Sequence, residues 1–99
     1  MNNDGGGIFS YLPQSTIETH YEDLFGTPTA LTFNKLAEMY EMEYVAIHTN
    51  AEFEQAISTD KQAAVKLIEA FTNRQDNVRE HRALWSRINE VLEQWLDMY

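Results

Sequence analysis

The stretch from Val65 to Phe71 is apolar apart from Lys66 and Glu69. A near-continuous apolar run bounded by polar segments is how a strand covered on both faces of a sheet reads. Upstream, Glu43 to His48 contains Tyr44, Val45 and Ile47, too short for a helix and rich in strand formers. Between them Thr49 and Glu52 stand in capping-box spacing, opening a helix near 50–58 with Phe53, Ala56 and Ile57 on its buried face. Strand, helix and strand in that order predict an α/β layer with parallel pairing. Two strands are too few for a complete sheet of this kind, so the chain reads as half a domain whose missing strands lie upstream of Met1 in a parent protein.

Around this unit, Phe33, Leu36, Ala37 and Tyr40 fall on one face of a helix over 33–42, with Thr32 as its N-cap. After Thr72 and Asn73 a long helix begins. Val78, His81, Trp85, Ile88, Leu92, Trp95 and Tyr99 recur on it at spacings of three and four, a stripe widened by Leu84, Val91 and Met98. With so few repeats and two tryptophans it fits a helix packed on a sheet better than a coiled coil, and without a partner layer it is exposed and sticky. Self-association is the expectation, through this helix or unpaired strand edges. Residues 1–31 hold all four glycines and both prolines and read as a ligand loop with one short helix near 18–25.

Sixteen acids against seven bases give a net charge of −9, which repels nucleic acid and anionic membranes. The absence of cysteine excludes disulfides, thiol catalysis and zinc-thiolate sites and is consistent with a cytoplasmic location. No apolar run approaches the ~20 residues that span a bilayer.

The chemistry-bearing motif is Asn2-Asn3-Asp4-Gly5-Gly6-Gly7-Ile8-Phe9-Ser10. Adjacent carboxamides are hard oxygen donors, and glycines let backbone turn through positive φ and approach a charged group, which suits Mg²⁺ and phosphate. Alone, Asn-Asn-Asp-Gly is also an ordinary turn. The continuation Tyr11-Leu12-Pro13-Gln14, the block His20-Tyr21-Glu22-Asp23-Leu24-Phe25-Gly26-Thr27-Pro28-Thr29, and Leu67-Ile68-Glu69 followed by Thr72-Asn73-Arg74-Gln75 decide between these. Together they resemble the family of thiamine diphosphate enzymes that make 2-succinyl-5-enolpyruvyl-6-hydroxy-3-cyclohexene-1-carboxylate in menaquinone biosynthesis.

That resemblance implies the fold class α/β: an incomplete half of a parallel-sheet thiamine diphosphate-binding domain, with two to three strands, flanking helices and a long C-terminal helix. Residues 1–99 would be the C-terminal part of the diphosphate-side domain, with 1–31 as cofactor loop region and 32–99 as α/β region. It further implies that Asn3 gives Mg²⁺ a side-chain oxygen and Gly5 a backbone carbonyl, an upstream Asp supplying the carboxylate, while Asn2 and Asp4 point elsewhere. Asn3, Gly5, Gly6, Ile8 and Phe9 would contact thiamine diphosphate, and Ile8, Phe9 and Leu12 would shape the substrate pocket. No residue here matches the catalytic glutamate, which belongs to another domain. The parent, a homo-oligomer, would decarboxylate 2-oxoglutarate and add the succinyl-semialdehyde unit to isochorismate. The 99-residue chain alone would be inert and bind no cofactor. Two alternatives stand beside this reading: an acidic interaction module dimerising through its last helix, and another enzyme of the superfamily, a decarboxylase or acetolactate synthase.

Among the remaining polar residues, Glu18, His20, Glu22 and Asp23 share a face only in a strand, which this segment is not, so a metal role is disfavoured. His81, on the apolar stripe, reads as a hydrogen-bonded packing histidine. Arg74, Arg79, Arg82 and Arg87 form the one basic cluster, with pairing to acids such as Glu69 or Glu80 favoured over an anion site; their role is left open.

Overall fold

Two parallel strands, β1 (Glu43–Ile47) and β2 (Lys66–Ala70), pair in register from Glu43 opposite Lys66 to Ile47 opposite Ala70 in a computed structural model that describes residues 1–99. The connection between them carries α2 (Asn50–Ser58). Its capping box forms as expected: Thr49 Oγ1 accepts from Glu52 N at 3.2 Å, and the Glu52 carboxylate accepts from His48 N and Thr49 N at 2.6 and 2.9 Å. Those two backbone donors hold Glu52 below its ordinary pKa. At the other end, Lys66 Nζ donates to the carbonyls of Ala56 and Thr59 at 3.1 and 2.7 Å, placing a cation where the helix dipole favours one.

The free side of β2 holds one further pairing. Asn2 N donates to Ala70 O at 2.7 Å and Thr72 N donates to Asn2 O at 2.9 Å, a parallel bridge opposite Phe71. Phe71 N turns the other way, to Ile47 O at 3.0 Å. β2 is therefore central, with β1 on one side and a single residue of the N-terminal turn on the other. This is the α/β class expected, with two strands and the trace of a third.

Several local expectations change. The helix expected over 33–42 is α1 (Asn34–Met39), and Phe33 rather than Thr32 stands at its N-cap; the Thr32 hydroxyl instead donates to Asn34 Oδ1 at 2.7 Å. The short helix near 18–25 is one π-helical turn, Glu22–Gly26, closed by Thr27 in the left-handed region. On α2 only Ala56 is buried, while Phe53 and Ile57 are about half exposed. β2 is not covered on both faces, and its most buried residue is the acid Glu69, 3% exposed. The exposures share a cause: α1 and α2 pack chiefly on β1, which leaves the sheet only partly covered.

The long helix α3 (Arg74–Asp97) starts where expected, with Asn73 Oδ1 accepting from Asp76 N at 2.9 Å. Beyond Val78 its side chains are exposed, including Trp85, Leu92 and Trp95, each more than half. The radius of gyration is 18.9 Å, against about 13 Å for a compact domain of 100 residues.

Glu69 is the polar centre of what packing there is. One carboxylate oxygen accepts from Asn2 Nδ2 at 2.6 Å, and the other from Phe33 N at 2.9 Å and Tyr44 Oη at 2.5 Å. Burial alone would raise its pKa, but the donors from Tyr44, Phe33 and Asn2 outweigh it and hold the group below its ordinary value. The same bond, with burial, raises the Tyr44 hydroxyl.

Two outcomes are expected of the isolated chain. A depressed carboxylate contributes stability that is complete above the ordinary pKa and is lost as pH falls through the folded one; a raised phenol contributes stability lost as pH rises through its folded pKa. Thermal unfolding should therefore show a plateau between about pH 4.5 and pH 10.0, falling on both sides. In Glu69→Ala the acid limb should flatten, with a loss at pH 7 of at least the ~1.5–3 kcal/mol typical of one hydrogen bond to a charged group. Sedimentation should show concentration-dependent self-association, which Leu92→Lys together with Trp95→Lys on α3 should weaken.

Candidate functional site

The segment from Asn2 to Gly7 leaves the sheet at the C-terminal end of β2 and turns sharply. Asp4 and Gly5 both have positive φ, 51° and 134°. Asn2 is fully committed: its backbone is in the bridge, its Nδ2 donates to Glu69 and to Leu31 O at 2.8 Å, and its Oδ1 accepts from Asp4 N at 3.0 Å. Asp4 Oδ1 accepts from Thr29 N and Ala30 N at 3.0 and 2.7 Å. The side chains on either side of Asn3 thus anchor the turn to the protein, and the Asn3 carboxamide lies over Gly7, where a Cβ would stand 3.2 Å from Nδ2.

Gly5 is glycine for two reasons. Its φ lies where side chains are strained, and a Cβ there would collide with the Gly26 carbonyl oxygen. Gly6 N donates to that same oxygen at 2.8 Å. On the side where a Cβ would stand, Gly5 and Gly6 face the backbone of residues 25–27 and not open space for a charged group.

Behind the turn stands Arg74. Its Nε donates to Asn3 O at 3.3 Å and its Nη2 to Glu22 Oε2 at 2.6 Å, while the side chain is only 8% exposed. Nη1 is buried with no hydrogen-bond partner. Arg79 pairs with Asp76 at 2.8 Å and with Glu80 at 3.7 Å, and no arginine pairs with Glu69. Of the two partners expected for the basic cluster, Glu80 alone serves, and Glu22 takes the place expected of Glu69.

The apolar residues that follow divide. Ile8 is exposed, Leu12 is 42% exposed, and Phe9 packs edge-on against Phe25 with centroids 5.3 Å apart. Ser10 turns inward to share a 3.0 Å hydrogen bond with Tyr21 Oη, and Tyr21 stacks on Phe25. A cleft of about 540 Å³ lies beside this cluster, between Ser10, Glu18 and Tyr21 on one wall and Gln75, Arg79 and Arg82 on the other. His81 is hydrogen-bonded as expected, accepting from Trp85 Nε1 at 2.7 Å and meeting Tyr11 edge-on, but it stays exposed and is not packed into a core.

Chemically, the turn offers a carboxamide oxygen from Asn3 and a peptide oxygen from Gly5, both hard donors suited to Mg²⁺. No group of three or more His, Cys, Asp or Glu side chains converges anywhere in the chain. Two such oxygens match in type what Mg²⁺ takes, but make up only a third of its six-ligand shell.

Over 92 residues, 93% of its length, the chain is 61% identical to the 2-succinyl-5-enolpyruvyl-6-hydroxy-3-cyclohexene-1-carboxylate synthase of Lysinibacillus sphaericus. The chain belongs to this synthase family. The synthases of Geobacillus thermodenitrificans and Staphylococcus aureus are 44% and 41% identical over 98% and 93% of the chain. The chain spans only 16–17% of the length of these synthases. No family model matches it. No helix is long and apolar enough to cross a membrane.

Sequence reasoning did not find Glu22 or Glu69 as organisers of the turn. Glu69 carried one signal, an acid inside an otherwise apolar strand; Glu22 carried none that separated it from Glu18 and Asp23. Gly5→Ala should destabilise the chain by more than the ~1–3 kcal/mol of a strained backbone position, because the clash adds to the strain. Gly7→Ala, facing only a flexible carboxamide, should lose less in the same chemical denaturation experiment.

Proposed function

We propose that the chain is the C-terminal part of the diphosphate-binding domain of a thiamine diphosphate- and Mg²⁺-dependent synthase of menaquinone biosynthesis. The observation that carries this is the position of the Asn2–Gly7 turn at the carboxyl end of a central parallel strand, where open α/β sheets bind their ligands. The family membership supports the same reading, and it also weighs against a free-standing interaction module and against a decarboxylase or acetolactate synthase.

In this reading the Asn3 side-chain oxygen and the Gly5 carbonyl hold Mg²⁺, with Gly6 beside the diphosphate. Asn2 and Asp4 bind no ligand; they fix the turn from either side through Glu69 and the 29–30 backbone. Ile8 and Phe9 line the pocket near the reacting centre, with Leu12 farther out, and exclude water there. Phe9 is steadied by Phe25. When bound, the cofactor supplies the chemistry that decarboxylates 2-oxoglutarate and adds the succinyl-semialdehyde unit to isochorismate. Neither the ligand-holding residues Asn3, Gly5 and Gly6 nor the pocket residues Ile8, Phe9 and Leu12 is an acid or base, so proton transfers fall to other parts of a homo-oligomeric, cytoplasmic parent.

Calorimetry of the full-length parent should show saturable binding of thiamine diphosphate in the presence of Mg²⁺, and the isolated 99-residue chain should show none. Asn3→Ala in the parent should weaken Mg²⁺ binding by at least ~10-fold, the scale of losing a ligating or ligand-supporting group. Unchanged Mg²⁺ affinity in that variant, or turnover of pyruvate in place of 2-oxoglutarate by the parent, would overturn the reading.

A further inference from the structure

Arg74 is the first residue of a 24-residue helix, the end at which a cation is disfavoured by the helix dipole. It is nonetheless among the most buried residues of a chain with nine buried positions. Its place must be set by tertiary partners, and these are specific. Nε holds the carbonyl of Asn3, 71 residues away in sequence, and Nη2 holds the carboxylate of Glu22, 52 residues away. Between these two bonds lies Gly26: a Cβ there would stand 2.6 Å from both Arg74 Nη1 and Glu22 Oε2. The Gly26 carbonyl in turn receives Gly6 N. One guanidinium therefore grips the turn directly at Asn3 and indirectly at Gly6, through the segment packed against it.

We propose that Arg74 is the positioning residue of the cation turn. Resting on the reading above, this assigns it the task of aiming the two donor oxygens. The Asn3 carbonyl belongs to the peptide plane joining Asn3 to Asp4, so fixing its direction constrains the chain on both sides: the Asn3 Cα that carries the carboxamide, and the path to the Gly5 carbonyl two residues on. Mg²⁺ tolerates little departure from octahedral geometry, and a site loosened by about 1 Å is a site lost. The planar fork of arginine presents separate donors in fixed directions to a carbonyl and a carboxylate, a geometry that the single nitrogen of lysine does not reproduce. Glu22 completes the device by neutralising the buried cation and fixing its rotamer.

The test uses the full-length parent with Mg²⁺ alone as probe at saturating thiamine diphosphate. Arg74→Met should raise the Mg²⁺ concentration for half-saturation by ~10–100-fold in a direct binding titration, the scale for groups that orient a metal's ligands. Arg74→Lys, restoring charge but not the fork, should recover only part of the loss. Glu22→Gln, which leaves Arg74 in place but unneutralised, should shift the same titration in the same direction by a smaller factor. It decides the matter if Arg74→Met does not fold. Mg²⁺ affinity unchanged in Arg74→Met, or in Glu22→Gln, overturns the inference even where thermal stability falls. If wild-type parent binds no Mg²⁺ with the cofactor, the functional reading fails first and the inference with it; if wild type binds and the variants bind equally, the inference alone fails.

Discussion

Beside the backbone bridge at Asn2, one buried carboxylate ties the N-terminal turn to the sheet. Glu69 gathers the Asn2 carboxamide, the backbone of Phe33 and the hydroxyl of Tyr44 onto two oxygens inside the one sheet the chain forms. Remove the charge and three segments distant in sequence lose their common acceptor. Few apolar side chains are there to replace it: the buried hydrophobic residues are Tyr21, Ala37, Ile47, Ala56 and Val78, two of them alanines. A chain with so thin a core depends on directional bonds where a complete domain would depend on burial. The same dependence explains the raised Tyr44 and the lowered Glu69, opposite halves of one bond that suits a protonated phenol and an ionised acid.

Much of the scaffold was legible in the residues because its signals are local. Thr49 and Glu52 form a capping box that needs no distant partner, and Asn73 ends the loop before α3 by the same means. The period-3.6 stripe of α3 and the short apolar runs of β1 and β2 likewise state their own conformation. Burial was less legible. Phe53 and Ile57 lie on an apolar face in sequence but are exposed in the fold, since a pattern shows which face seeks a partner and not whether one is present. Thr32 is not the cap because the helix starts one residue later than expected, at Asn34, with Phe33 in the cap position.

The candidate site was legible as chemistry and opaque as support. Asn3 and Gly5 stand out by residue type and spacing, and the resemblance of the surrounding blocks named their roles. What steadies them comes from elsewhere: Glu69 from the middle of a strand, Asp4 through the backbone of Thr29 and Ala30, Arg74 and Glu22 from two further segments. Nothing in an isolated glutamate or arginine announces a partner 52 or 71 positions away. Local pattern finds the candidate donor atoms, and only the fold reveals what holds the turn that carries them.

That separation along the chain bears on the order in which the molecule assembles. The helix α3 closes hydrogen bonds four residues apart and forms within about a microsecond, whereas the bonds from Asn2 to Glu69 and from Arg74 to Asn3 each close a loop of 67 or 71 residues. Contacts of such length bear their entropy cost before they are rewarded and arrive late. The turn that carries the proposed donor oxygens meets the sheet at one bridge residue and is otherwise held by such long-range bonds, so it is expected to lock late in folding.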